Sequence, residues 1–187
     1  MKNKLQLQAR SLSAPKLALL ATGMVVLAAC NQTTAQAPSE GIDYRQARFE
    51  EIAAMREYRG CVDEAYKLDQ QARENKSAGQ YIASAKLLQK CESGLGPEVA
   101  GINTEERMRA YGLSIQNYLK GGDVTAAQKS LDQFETAFDG SDLYYADGSS
   151  FTQTMGALLG QVEDSAYGRF SMLNVSKDVK QEMRRKQ

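Results

Sequence analysis

The sequence predicts an all-α fold, a short stack of antiparallel helix pairs flanked by capping helices. Three observations predict it. Apolar residues recur at three- and four-residue spacing from Asp43 to about residue 165. The intervals between these stripes are short and rich in Gly, Asn, Asp and Ser. No stretch alternates apolar and polar residues as a half-buried strand does.

The first helix is expected from Asp43. Phe49, Ile52, Ala53 and Arg56 follow i, i+3, i+4, i+7 spacing with Met55 alongside, and Gly60 is expected to break or kink the helix. Val62, Ala65, Leu68, Asp69 and Ala72 mark the next segment, which turns around Asn75 to Gly79. Tyr81, Ser84, Ala85, Leu88 and Cys91 form the following stripe, stopped by Gly94, Gly96 and Pro97. Asn103-Thr104-Glu105-Glu106 reads as a helix start, with Asn103 as cap and Glu106 reaching back in a capping box. That helix presents Met108, Tyr111, Ile115, Tyr118 and Leu119 and ends at Gly121-Gly122. Asp123 caps the next, which carries Val124, Ala127, Leu131, Phe134 and Phe138. Residues 139–150 read as a loop, and a shorter helix from about Phe151 carries Met155, Leu158 and Val162. The tail, 166–187, is basic: from Lys177 it holds five Lys or Arg against two acids, with Val175, Val179 and Met183 spaced for a loose helix.

The amino-terminal end has a different composition. Lys2, Lys4, Arg10 and Lys16 precede an uncharged run of 13 residues, Leu17 to Ala29, which ends Leu27-Ala28-Ala29-Cys30. A basic segment, a short apolar run and small residues at the cut form a secretory signal. The run is too short for the ~20 residues that span a bilayer. The Leu-Ala-Ala-Cys sequence resembles the lipobox of bacterial lipoproteins. The resemblance covers residues 1–30 and implies cleavage before Cys30, a diacylglyceryl thioether on its sulfur, and acylation of the new amine. Two or three acyl chains hold a protein durably where one does not. Asn31 stands where the enterobacterial inner-membrane retention pattern has Asp, which implies the periplasmic face of the outer membrane. Residues 30–42 then read as a lipidated Cys followed by a flexible tether, and 43–165 as the helical domain.

Removing the signal leaves 158 of 187 residues, with 23 acids against 19 Lys and Arg, a side-chain charge of about −4. That balance argues against a nucleic-acid binder. There is no histidine, so neither a Ser-His-Asp nor a Cys-His nucleophile can be built. No P-loop, dinucleotide fingerprint or metal-ligand cluster occurs, and no cofactor, metal site or enzymatic activity is expected. Asp139-Gly140-Ser141-Asp142 and Asp147-Gly148 fail the EF-hand spacing, and turn chemistry accounts for them. Glu50-Glu51, Glu105-Glu106 and Glu163-Asp164 are adjacent on helices, so their carboxylates diverge. Tyr144 and Tyr145, in the Asp-rich loop, are candidate partner contacts because tyrosine supplies rigid amphipathic area at interfaces; packing against the helices is the plainer account.

An internal similarity appears at an offset of 43 residues. Leu68, Ala72, Gly79, Tyr81, Ser84, Leu88 and Cys91 align with Tyr111, Ile115, Gly122, Val124, Ala127, Leu131 and Phe134. The second unit resembles the tetratricopeptide repeat, through Tyr118-Leu119-Lys120-Gly121-Gly122-Asp123-Val124 followed by Ala127 and Leu131. The first departs from the pattern, with Asn75 for the aromatic and Ser84 for the small residue. Tetratricopeptide periods are ~34 residues, and two units need capping helices to complete a stack. The resemblance implies a protein-binding groove and a structural role for Tyr111 and Tyr118.

Cys61 and Cys91, with no histidine, make a poor zinc site. In an oxidising periplasm a disulfide is the more physical state. In a hairpin turning near Ser77 they lie 16 and 14 residues from the turn, which brings them together. The alternative is two buried thiols. The lipobox and tetratricopeptide resemblances together imply a membrane-anchored periplasmic adaptor or assembly factor for an envelope complex of the pilus, secretion or outer-membrane assembly type. The rival is a structural lipoprotein that contacts the cell wall through its basic tail. Labelled palmitate fed to producing cells should mark the wild-type chain and not Cys30→Ala; equal labelling of both, or of neither, contradicts lipidation at Cys30.

Overall fold

A computed structural model describes residues 38–163 and 172–186. Cys30 and its signal lie outside the described residues. The chain divides into two units, residues 1–42 and 43–187, and the description below concerns the second together with the helix that enters it. The described residues are all-α, with six helices: α1 (Pro38–Asn75), α2 (Ala78–Ser93), α3 (Thr104–Lys120), α4 (Val124–Ala137), α5 (Phe151–Leu158) and α6 (Lys177–Lys186). A 3₁₀ turn, Pro97–Val99, lies in the α2–α3 connection, and the α4–α5 loop holds one isolated antiparallel bridge, Tyr144 to Ser150. No helix of the described residues is long and apolar enough to cross a membrane.

The first helix departs from expectation in two ways. Gly60 does not break it: α1 runs unbroken from Pro38 to Asn75, since a glycine whose neighbours are held by packing merely weakens a helix. The inward face is also different. Phe49 and Ile52 are 72 % and 48 % exposed, and the buried stripe is Met55, Tyr58, Val62, Ala65, Asp69 and Ala72. Both stripes have helical spacing, and only the position of α2 and α3 selects between them.

α1 and α2 form a hairpin. Lys76 takes the left-handed conformation at φ 51°, and Ser77 caps α2 by accepting a hydrogen bond from the Gln80 amide. Cys61 and Cys91 are joined in a disulfide with 5.8 Å between their Cα atoms, which closes the open end of the pair. The Ser84 hydroxyl, where the repeat pattern has a small apolar residue, donates to the Ala65 carbonyl at 2.8 Å and accepts from Asn117 Nδ2 at 3.2 Å. One side chain thereby links α1, α2 and α3 without leaving a buried polar group unpaired.

α3 and α4 form the second hairpin. Its turn uses Gly122 at φ +81°, a conformation that costs glycine little, and Asp123 caps α4 by accepting from the Ala126 amide. The cap at Asn103 is not the predicted box: Asn103 is left-handed, makes no side-chain capping bond, and Glu106 pairs instead with Arg59 of α1. The register of the two hairpins is also corrected. Their caps, Ser77 and Asp123, and their second-helix starts, Ala78 and Val124, stand 46 residues apart, not 43. A three-residue slip preserves an apolar stripe on a helix, so the stripe alone does not fix register, whereas caps do. Gly79 accordingly lies inside α2 and not in the turn.

α3 is the central helix. Gly121 at its end lies so close to the start of α2 that an added Cβ would sit 2.6 Å from Ile82 Cγ1 and 3.1 Å from the Ala78 carbonyl oxygen. Gly112 in its middle makes room for Phe151, 3.1 Å from where a Cβ would be. Phe134, fully buried, gathers Tyr111, Phe138 and Phe151 at ring-centroid distances of 6.0, 5.0 and 5.5 Å, a tilted cluster that holds α3, α4 and α5 together. Val175 is buried, and Val179 and Met183 of α6 face Ala157 and Leu158 of the α5 end.

The disulfide spans a separation of 30 residues, for which the loop-entropy model gives roughly 3–4 kcal/mol. Urea unfolding of a Cys61→Ala, Cys91→Ala variant should show a loss of that order; an unchanged midpoint would mean that the bridge adds nothing to stability.

Candidate functional site

A cleft of about 690 Å³ lies between α2 and α4 with α3 as its floor. α2 supplies Gln89, Lys90, Glu92 and Ser93; α3 supplies Arg107 and Tyr111; α4 supplies Lys129, Asp132, Gln133 and Thr136. These side chains fall in one place because α2 and α4 both pack on α3, and each turns its polar flank toward the other.

Hydrogen bonds order the floor. Tyr118 Oη donates to Gln89 Oε1 at 2.9 Å, and Gln89 Nε2 donates to Ser130 Oγ at 2.6 Å. Ser130 Oγ in turn donates to the Ala126 carbonyl at 2.7 Å. Gln89 Nε2 also lies 3.5 Å from Tyr111 Oη, which donates to Gln133 Oε1 at 3.4 Å. A glutamine amide therefore bridges α2 to both neighbouring helices. Burial raises the phenol pKa values of Tyr111 and Tyr118, partly offset at Tyr111 by the Gln89 bond, so both stay neutral donors through the physiological range.

One end of the cleft is closed by an ion pair. Arg107 Nη2 lies 2.5 Å from Glu92 Oε1, and its Nε is 3.1 and 3.3 Å from the two carboxylate oxygens. The pair is largely buried, at 13 % and 9 % side-chain exposure. Arg107 Nη1 donates to the Val99 carbonyl at 3.1 Å, and the guanidinium sits 5.8 Å from the centroid of Phe138. The floor is thus charge-balanced, while Lys90 and Lys129 stand exposed at the rim. Asp132 at the rim accepts from Gln161 Nε2 at 3.0 Å. Amides, hydroxyls and two ammonium groups suit the carbonyls and carboxylates of a peptide. No group of three or more metal-ligating side chains occurs among the described residues.

The expected contact residues lie elsewhere and differ from one another. Tyr144 is 64 % exposed. Tyr145 is drawn inward: its ring packs against Phe151 at 6.1 Å, its amide donates to the Ser149 carbonyl at 2.9 Å, and burial raises its phenol pKa. The loop's aspartates serve turn chemistry. Asp142 Oδ1 accepts from the amides of Leu143 and Thr152 and its Oδ2 from Ser150 Oγ, and Asp147 Oδ1 accepts from the Ser149 amide and hydroxyl. Glu105 pairs with Arg109 and Glu106 with Arg59, so the adjacent glutamates diverge as expected. Sequence periodicity missed the cleft because Gln89, Arg107 and Gln133 occupy flanks of stripes defined by apolar residues. An arginine between Glu106 and Met108 is the one local hint.

Tyr58 adjoins this end of the molecule. Burial, and after it the charge of Glu92, raises its phenol far above the ordinary value of about 10. The raised value stabilises the fold below about pH 10, where unfolded and folded chains both hold the proton; as pH rises further the unfolded chain ionises and that stability is lost. Urea unfolding between about pH 8 and pH 11 should show a decline that is shallower in Tyr58→Phe; equal slopes would contradict it.

Comparison of the chain with protein-family models, curated proteins and solved structures finds no match in any of the three.

Proposed function

We propose that this chain is a lipid-anchored periplasmic adaptor or assembly factor, held on the outer membrane through Cys30. In this proposal the cleft between α2 and α4 receives a segment of an envelope protein. The cleft itself is the observation that carries the reading: about 690 Å³, floored by hydrogen-bonded Gln89, Tyr111 and Ser130 and rimmed by two lysines. Its groups are donors and acceptors already fixed in place, which lowers the ordering cost of binding. The absence of histidine from the sequence and the lack of a nucleophile–base pair along the cleft favour binding over catalysis. The membrane attachment rests on the lipobox resemblance.

A second reading is kept by α6. Val179 and Met183 turn toward α5, while Arg184 and Arg185 are exposed, an arrangement able to touch anionic cell-wall polymer. One experiment separates the two. A photo-crosslinking amino acid placed at Thr136 or Gln133 in living cells should capture one discrete envelope protein, and the same probe at Lys86, exposed on α2, should not. Equal capture from Lys86, or none from the cleft, contradicts the adaptor. Recovery of cell-wall fragments alone, lost on deletion of residues 177–187, would favour the tail.

A further inference from the structure

The amino-terminal part of α1 extends past the helices that pack on it. Residues 41–50 are exposed without exception, and the first buried position is Met55. Cys61, tied to Cys91 near the end of α2, and Arg59, paired with Glu106 in the first turns of α3, mark where the neighbouring helices stop. The stretch before them is not uniformly polar. At 100° per residue, Arg45, Phe49, Ile52 and Arg56 fall within an arc of about 60°, with Arg48 beside it. Asp43, Glu50 and Glu57 lie roughly 130° away, and the buried stripe of Met55, Tyr58 and Val62 is turned by a similar angle. Tyr44, also exposed, continues the buried stripe and not this one.

Phe49 and Ile52 therefore present 72 % and 48 % of their surface on a face bordered by three arginines, with acids on the opposite side. Arg48 keeps an ion pair to Glu51 at 2.7 Å with 60 % of its side chain exposed. The segregation is not what a merely solvated helix requires, since interspersed charges would serve as well. It matches a helix lying in a membrane interface, apolar side chains in the acyl boundary and long cations reaching to headgroups. Seven residues, 31–37, separate Cys30 from the start of α1, at most about 28 Å of extended chain. A lipid on Cys30 would thus keep this face within reach of the bilayer.

We infer that the exposed face of α1, centred on Phe49 and Ile52 with Arg45, Arg48 and Arg56, docks on an anionic phospholipid surface. The inference rests on the proposed lipid anchor for its proximity to the bilayer, and its test separates the two.

The chain contains no tryptophan, so Phe49→Trp introduces a single reporter at an exposed position. The full-length protein purified from membranes is reconstituted into phosphatidylethanolamine–phosphatidylglycerol vesicles carrying brominated acyl chains, and its lipidation is read from intact mass. Phe49→Trp should emit at shorter wavelength than in lipid-free buffer and be quenched several-fold more than Glu50→Trp. Phosphatidylcholine vesicles, or Arg45→Gln with Arg48→Gln and Arg56→Gln, should remove most of that quenching. An acylated chain whose Phe49→Trp stays water-exposed overturns the inference and leaves the anchor standing. A non-acylated chain that still shows quenching upholds the inference and sinks the anchor. An unquenched blue shift that persists without vesicles assigns the face to a second copy or a protein partner and overturns the inference.

Discussion

Arg107 joins the parts of this fold that the chain connects only loosely. From the first turn of α3 it reaches Glu92 near the end of α2, the Val99 carbonyl in the connection, and the ring of Phe138 at the end of α4. Glu92 follows Cys91 directly, so the covalent bridge to α1 and the ionic bridge to α3 leave α2 from neighbouring residues. A buried pair of this kind gives little net stability against an apolar replacement, but removing one partner strands the other at a cost of about 3–5 kcal/mol. Its contribution is one of register. A packed apolar stripe tolerates a slip of three or four residues, and a bidentate pair does not.

The same distinction separates what the sequence disclosed from what it withheld. The helical class, the loop at 139–150 and the meeting of Cys61 with Cys91 all follow from apolar periodicity and turn residues. The cap at Asp123 follows from turn chemistry, which is local. The inward face of α1 did not follow, because Phe49-Ile52 and Met55-Tyr58-Val62 are equally well-spaced stripes on one helix. The repeat register slipped for a related reason: Gly79 looks like the counterpart of Gly122, yet Lys76 takes the left-handed turn conformation in the first hairpin. A lysine with positive φ leaves no compositional trace.

The cleft was the least legible feature. Its floor depends on Gln89 of α2 meeting Tyr118 of α3 and Ser130 of α4, residues 29 and 41 positions away. Gln89 and Ser130 belong to no motif and appear in the sequence as ordinary polar residues flanking a stripe, while Tyr118 reads there as part of the apolar stripe itself. Tyr111 and Tyr118 are buried in the core, and their hydroxyls also orient the glutamine that forms the cleft. The exposed loop tyrosines, by contrast, divide: Tyr145 completes the aromatic cluster at Phe151, and Tyr144 alone stays outside it.

The dependence of the cleft on Arg107 is open to a direct measurement. Hydrogen exchange should be followed in the wild-type chain and in Arg107→Met, which keeps bulk and removes charge. Protection should fall together in the end of α2, the 94–103 connection and the last turn of α4, while the disulfide-closed centre of the first hairpin is retained. Loss confined to the first turn of α3, with α2 and α4 unchanged, would contradict a cleft organised by this residue.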